Sequence, residues 1–158
     1  MDWFNNSPLT VIFSSGLTLT PIFAFFPFYV FSNDVFLSLK KNKVNVRYGP
    51  GFEFPVKYIY KKIHLPIKQI DKKENFRRII DFKKNSGWIH VSQLKKVNSI
   101  IPREDKILFS KPSNFSKPLA KIEKGRVLLL QTCNDSWCMV KTDSFKGWIK
   151  IENTWGLN

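Results

Sequence analysis

Apolar and polar residues alternate in short runs through most of this chain, with the two-residue period of a strand. LSLKKNKVNVRYGPG alternates around Val44 and Val46 until Gly49, Pro50 and Gly51 break it with a turn. LPIKQID, FRRIIDF and GWIHV follow as three β-like runs, separated by the polar turn segments KKEN and KKNS. VLLLQT and CMVKT then flank the polar turn NDSW. No window of helical length carries a 3.6-residue apolar period, and VSQLKKV has room for one helical turn. The pattern predicts an all-β protein of short strands.

The N-terminal stretch differs. From Trp3 to Asn33 there is no charged side chain, and LTVIFSSGLTLTPIFAFFPFYVFS is apolar enough that it must be buried, inserted in a bilayer or removed. Removal is the expectation for residues 1–32, because Val30 and Ser32 are small enough for the −3 and −1 positions of an export cleavage site. The mature chain would then begin near Asn33 and work in the periplasm or otherwise outside the cytoplasm. Asp2 stands where an export signal carries Lys or Arg, and Pro21 and Pro27 interrupt the apolar run. A retained, proline-kinked membrane anchor and a buried element of the fold are the other readings.

Composition narrows the class without choosing a function. The chain has 158 residues, 43% hydrophobic and 24% charged, which excludes both a wholly disordered chain and a polytopic membrane protein. That length accommodates one domain or two small ones. The formal charge is +14, and beyond residue 38 it is +16. The lysines are dispersed in pairs, Lys61-Lys62, Lys72-Lys73, Lys83-Lys84 and Lys95-Lys96. Such a surface attracts anionic envelope polymers, lipid or nucleic acid by the same long-range electrostatics.

An internal repeat organises the β region. Gly87-Trp88-Ile89 recurs as Gly147-Trp148-Ile149, sixty residues on. Phe76 and Trp137 each open a strand after a polar turn, and Pro66-Ile67 precedes the first as Val127-Leu128 precedes the second, an offset of 61. One copy spans residues 39–97 and a degenerate second copy residues 106–155. The copies differ where VNVRYGPG of the first becomes ILFSKP in the second, without its Asn, Arg or glycine.

Cys133 and Cys138 bracket NDSW, and residues opposed across a tight hairpin have the Cα separation a disulfide requires. Closing so short a loop contributes on the order of 2 kcal/mol. Two free thiols in a cytosolic protein are the alternative. His64 and His90 stand alone with no second Cys pair, so neither a metal nor a cofactor is expected. The chain contains no Gly-rich phosphate loop, HExxH or GxSxG, and the reading is non-catalytic.

VNVRYGPGFEFPVKYIY, LPIKQIDKKENFRRIIDFKKNSGWIHVSQL and AKIEKGRVLLLQTCNDSWCMVKTDSFKGWIKIENTWG together resemble the bacterial SH3-like (SH3b) domain family, in the exported tandem form found in alphaproteobacteria. The resemblance implies two small β-barrels that act as targeting or binding modules, some members taking cell-wall peptides. It assigns Arg47, Tyr48, Gly49 and Pro50 to the signature loop, Trp88 and Trp148 to the Trp after glycine, and Cys133 with Cys138 to a paired-Cys feature of the tandem form. Phe76 replaces the usual Trp, and His64 occupies a position where glycine is common.

For binding, the expectation is a shallow groove beside the loop lined by Tyr48, Tyr58 and Tyr60, with Arg47 engaging a carboxylate or serving a structural ion pair. Gly49, Pro50, Phe76, Trp88, Trp137 and Trp148 are expected to be structural, with Trp88 and Trp148 in the core. The partners expected are a cell-wall peptide, an anionic envelope polymer or an envelope protein. Single-stranded nucleic acid is the alternative, as is a structural or interaction role without a small ligand.

Overall fold

The computed structural model describes residues 35–157, so the export signal or membrane anchor expected at residues 1–32 lies outside the described residues. Fourteen strands and one 3-10 turn, Val91–Gln93, account for its regular structure. The first half contains β1 (Val35–Leu39), β2 (Val44–Arg47), β3 (Val56–Tyr60), β4 (Pro66–Lys73), β5 (Phe76–Ile80), β6 (Ser86–His90) and β7 (Leu94–Lys96). The second contains β8 (Ser99–Pro102), β9 (Lys106–Phe109), β10 (Pro118–Ile122), β11 (Leu128–Cys133), β12 (Trp137–Lys141), β13 (Lys146–Lys150) and β14 (Thr154–Trp155).

The two sheets have one topology. The first is ordered β3-β2-β6-β5-β4-β1-β7 and the second β10-β9-β13-β12-β11-β8-β14, so each strand of the first has its counterpart seven strands later. All the pairings are antiparallel. Each half is an open seven-stranded ladder, where the family resemblance implied a β-barrel. The second half begins at Ser99, ahead of residue 106, because β8 pairs with β11 and β14 at its margin.

Strand alternation builds a core in each half. Leu39, Val44, Val46, Ile67, Ile79 and Ile89 are fully buried in the first; Ile100, Leu108, Leu128, Cys138, Val140 and Ile149 are fully buried in the second. These cores repeat almost position for position, Leu39 with Ile100, Ile67 with Leu128, Ile79 with Val140 and Ile89 with Ile149. Each such aliphatic side chain contributes roughly 1.5–3 kcal/mol through burial.

Both halves belong to one compact unit, and a polar seam joins them. Ser38 and Ser99, both fully buried, share a hydrogen bond of 3.1 Å between their hydroxyls. The Ser99 hydroxyl also donates to the His64 carbonyl. The Trp155 indole donates to the Pro66 carbonyl at 2.9 Å and meets Phe36 edge-on at 5.1 Å. His64 has φ +63°, the left-handed region that explains a glycine preference at this position. Its ring compensates, since Nδ1 lies 2.8 Å from Lys95 Nζ and 3.2 Å from Asn98 Nδ2.

Candidate functional site

The signature loop, residues 48–55, is a structured excursion between β2 and β3. It closes through a hydrogen bond from Tyr48 N to Pro55 O at 3.2 Å. Arg47 holds it from inside: Nη1 donates to the Phe52 carbonyl at 3.2 Å and to the Phe54 carbonyl at 2.7 Å. The guanidinium also sits 5.4 Å from the Phe52 ring centroid, and that ring meets Phe76 at 5.3 Å and His90 at 5.1 Å. Gly49 is required by close approach, because a Cβ there would stand 2.4 Å from the Phe54 ring. Arg47 is therefore a clamp on loop carbonyls, where the sequence suggested a carboxylate partner.

Beside this loop lies an open cleft of about 310 Å³ lined by Arg47, Tyr48, Lys57, Arg78, Ser86, Gly87 and Trp88. Its floor follows from strand register. Trp88 of β6 pairs with Arg47 of β2 on one side and Arg78 of β5 on the other, giving a cation–aromatic–cation row. Tyr48 is 63% exposed above it. Lys57 reaches across from β3, its Nζ donating to Ser86 O at 3.0 Å and lying 5.7 Å from the Tyr48 ring centroid. The lining contains no carboxylate; Asp71 stands opposite Arg78 on the next strand. Flat aromatic surface beside cations fits a planar or anionic group on an extended partner.

Two expectations are corrected. Trp88 and Trp148 are half-buried on the outer face, and Ile89 and Ile149 beside them fill the cores. The reason is the strand period: Gly87 faces inward, 2.4 Å from Val46 for any added Cβ, so the next residue faces out. Tyr58 and Tyr60 do not join Tyr48 in a groove. They share the inward face with Val46 and Val44, their register partners, and pack against the core. Their hydroxyls lie 3.3 Å apart, and Tyr60 donates to Asp81 Oδ2 at 3.0 Å.

Asp81 is a residue that sequence reading missed. Its carboxylate is 4% exposed and also accepts from Lys83 N, Asn85 N and Asn85 Nδ2. It organises the turn that delivers Ser86 to the cleft. Burial, reinforced by the neighbouring hydroxyl and the Asp81 charge, pushes the Tyr60 hydroxyl far above its ordinary pKa. Burial raises Tyr58 as well. Arg78 and Lys57 were also missed, because the β5–β6 register that sets Arg78 beside Trp88 is not carried by the local pattern FRRII.

The second half keeps the frame and loses this surface. Phe109 takes the place of Arg47 opposite Trp148 and packs edge-on against Trp137 at 5.7 Å. Lys150 Nζ lies 5.8 Å from the Trp137 centroid. Next to Trp137, Cys133 and Cys138 face each other across the β11–β12 hairpin, 4.1 Å apart at Cα, and form a disulfide. No group of three or more His, Cys, Asp or Glu able to hold a metal occurs among the described residues.

The bacterial SH3 domain model matches residues 40–96 and residues 104–156, segments that hold all the strands of the two sheets except β1 and β8. The chain belongs to the bacterial SH3 domain family. Domains of this family are non-catalytic scaffolds. No curated protein matches the chain in sequence. Among solved structures, NlpC2 from Trichomonas vaginalis is similar over 77% of this chain and 48% of its own, at 12% identity and TM-score 0.36. NlpC1 from the same organism is similar over 79% of this chain and 46% of its own, at 12% identity and TM-score 0.37. This bacterial SH3 chain thus spans about half the length of either.

Within the bacterial SH3 frame, Phe76 stands 6% exposed between Phe52 and His90. Trp137, at the matching place in the second half, is 8% exposed. Both are structural supports beneath the loop side of their sheets.

Proposed function

We propose that this bacterial SH3 chain is a non-catalytic binding module of the cell envelope, recognising a cell-wall peptide or another anionic envelope component through its first half. The observation that carries the reading is the row Arg47–Trp88–Arg78, roofed by Tyr48 and Lys57. A carboxylate or phosphate of the partner is met by Arg78 and Lys57, and an extended backbone lies across the Trp88 and Tyr48 rings. Arg47 shapes the cleft by holding residues 48–55 in place. The second half lacks the equivalent cleft, since Phe109 removes the cation from the position of Arg47. Export, through removal of residues 1–32, puts the module in the compartment where both its disulfide and such partners occur.

The test is a titration of the folded chain with soluble wall fragments and with single-stranded oligonucleotides at two salt concentrations. Arg78→Ser and Tyr48→Ala are the informative variants, because both side chains are exposed and neither holds the loop. Wall-fragment binding that weakens in both variants supports the reading. Oligonucleotide binding that is tighter and falls steeply with salt reverses it in favour of nucleic acid.

A further inference from the structure

The loops after β2 and β9 are equivalent in place and length, and they differ in how far they support their aromatic residues. Residues 48–55 and residues 110–117 each span eight positions, and each closes through one backbone bond, Tyr48 N to Pro55 O at 3.2 Å and Ser110 N to Lys117 O at 2.9 Å. In the first, the Phe52 ring is 64% exposed but still rests on one side against Phe76, His90 and the Arg47 guanidinium. In the second, Phe109 already occupies the Trp137 edge, and Phe115 is 100% exposed.

That exposure is built in. Ser116 Oγ donates to Lys111 O at 3.0 Å and Ser113 O at 2.8 Å, and Phe115 N donates to Ser113 Oγ at 3.2 Å. The internal hydrogen bonds thus define a loop that presents a phenylalanine ring to water. Lys111 and Lys117 flank it, and no Asp or Glu occurs from residue 106 to residue 122. The ion pairs of this half, Lys106–Glu104 at 3.0 Å and Lys121–Asp105 at 2.9 Å, engage lysines at the other end of β9 and β10. Phe145, 47% exposed, and the exposed Lys146 lie at the start of β13, whose antiparallel pairing with β9 runs them toward the same end of the sheet.

We propose that residues 110–117 form a contact for an anionic lipid bilayer, with Phe115 entering the headgroup–acyl boundary and Lys111, Lys117 and Lys146 meeting lipid phosphates. A convex tip carrying one ring among lysines suits a surface that deforms around it; a protein partner would need a preformed pocket for the ring. Phenylalanine is at home at that depth, and each lysine near an anionic surface adds attraction that salt screens. The inference is independent of the cleft around Trp88, which belongs to the other half.

The experiment is co-sedimentation of the full chain with vesicles of pure phosphatidylcholine and of phosphatidylcholine with phosphatidylglycerol. Residues 1–38 contain no Lys or Arg, so whatever the apolar segment contributes does not come from lysine–lipid attraction. Phe115→Ser should lower partitioning into the anionic vesicles about tenfold. Lys117→Ala should lower it about fivefold there and leave the neutral vesicles unaffected. A second measurement locates the ring: Phe115→Trp should show fluorescence quenching by acyl-brominated lipid beyond that of the parent chain. Unchanged partitioning of Phe115→Ser, or quenching no greater than the parent's, would overturn the proposal, and the second result would direct attention to a protein pocket instead.

Discussion

Ser38 and Ser99 stand 61 residues apart at equivalent places in the two halves, and their hydroxyls are hydrogen-bonded to each other in the buried seam. The repeat thus contacts itself through the same residue type, as a symmetric dimer does. Asn98 N donates to Ser38 Oγ at 3.3 Å, and the Ser99 hydroxyl donates to the His64 carbonyl, so neither hydroxyl is idle. Ser38→Ala and Ser99→Ala should each cost about 1–3 kcal/mol by stranding a buried partner. The double variant should cost less than their sum, measured by urea unfolding, because the shared bond is lost only once.

Trp155 Nε1 to Pro66 O is the longest-range side-chain bond across the seam, spanning 89 residues. Trp155→Ala should destabilise by about 3–5 kcal/mol and affect the first half as well as the second. Unfolding followed by probes in both halves should remain a single coincident transition in the parent chain.

Reduction of Cys133–Cys138 should lower stability by about 2 kcal/mol, the contribution expected for so short a loop. The hairpin should persist, since Cys138 also belongs to the buried core. Denaturant midpoints with and without reductant measure this directly.

His64→Gly should relieve the left-handed backbone strain and lose the ring contacts with Lys95 and Asn98. His64→Ala should lose those contacts and keep the strain, so it should be the less stable variant by about 1 kcal/mol. Thermal unfolding of the pair separates the two effects.

Alkaline stability should be governed by Tyr60. Its folded pKa is raised by burial and by Tyr58 and Asp81, so its contribution is full below the unfolded tyrosine value of about 10 and is lost as pH rises beyond it. Tyr60→Phe should flatten that alkaline decline while weakening the turn around Asp81. Stability measured from neutral pH to above pH 10 tests both effects.

The strands, the repeat and the cysteine hairpin were legible in the sequence because each depends on neighbours a few residues apart. Val44 and Val46, Gly87 and Ile89, and Cys133 and Cys138 declare their faces through the two-residue period and turn residues alone. The same period, followed one residue further, places Trp88 outside. Tyr58 is a different case. Tyr58 and Tyr60 face inward because their register partners Val46 and Val44 do, and Tyr48 lies beyond the end of β2 in the loop; that pairing leaves no trace in apolar patterning.

The sequence by itself determined an all-β chain with a duplicated strand set and a strongly basic character, since side-chain size, charge and alternation act locally. Only the tertiary structure decided that Arg47 clamps carbonyls, that Arg78 and Lys57 converge on Trp88, and that Ser38 meets Ser99. These are contacts between strands distant along the chain, fixed by sheet order and register. Their energies depend on which groups lose water together, and no local pattern encodes that.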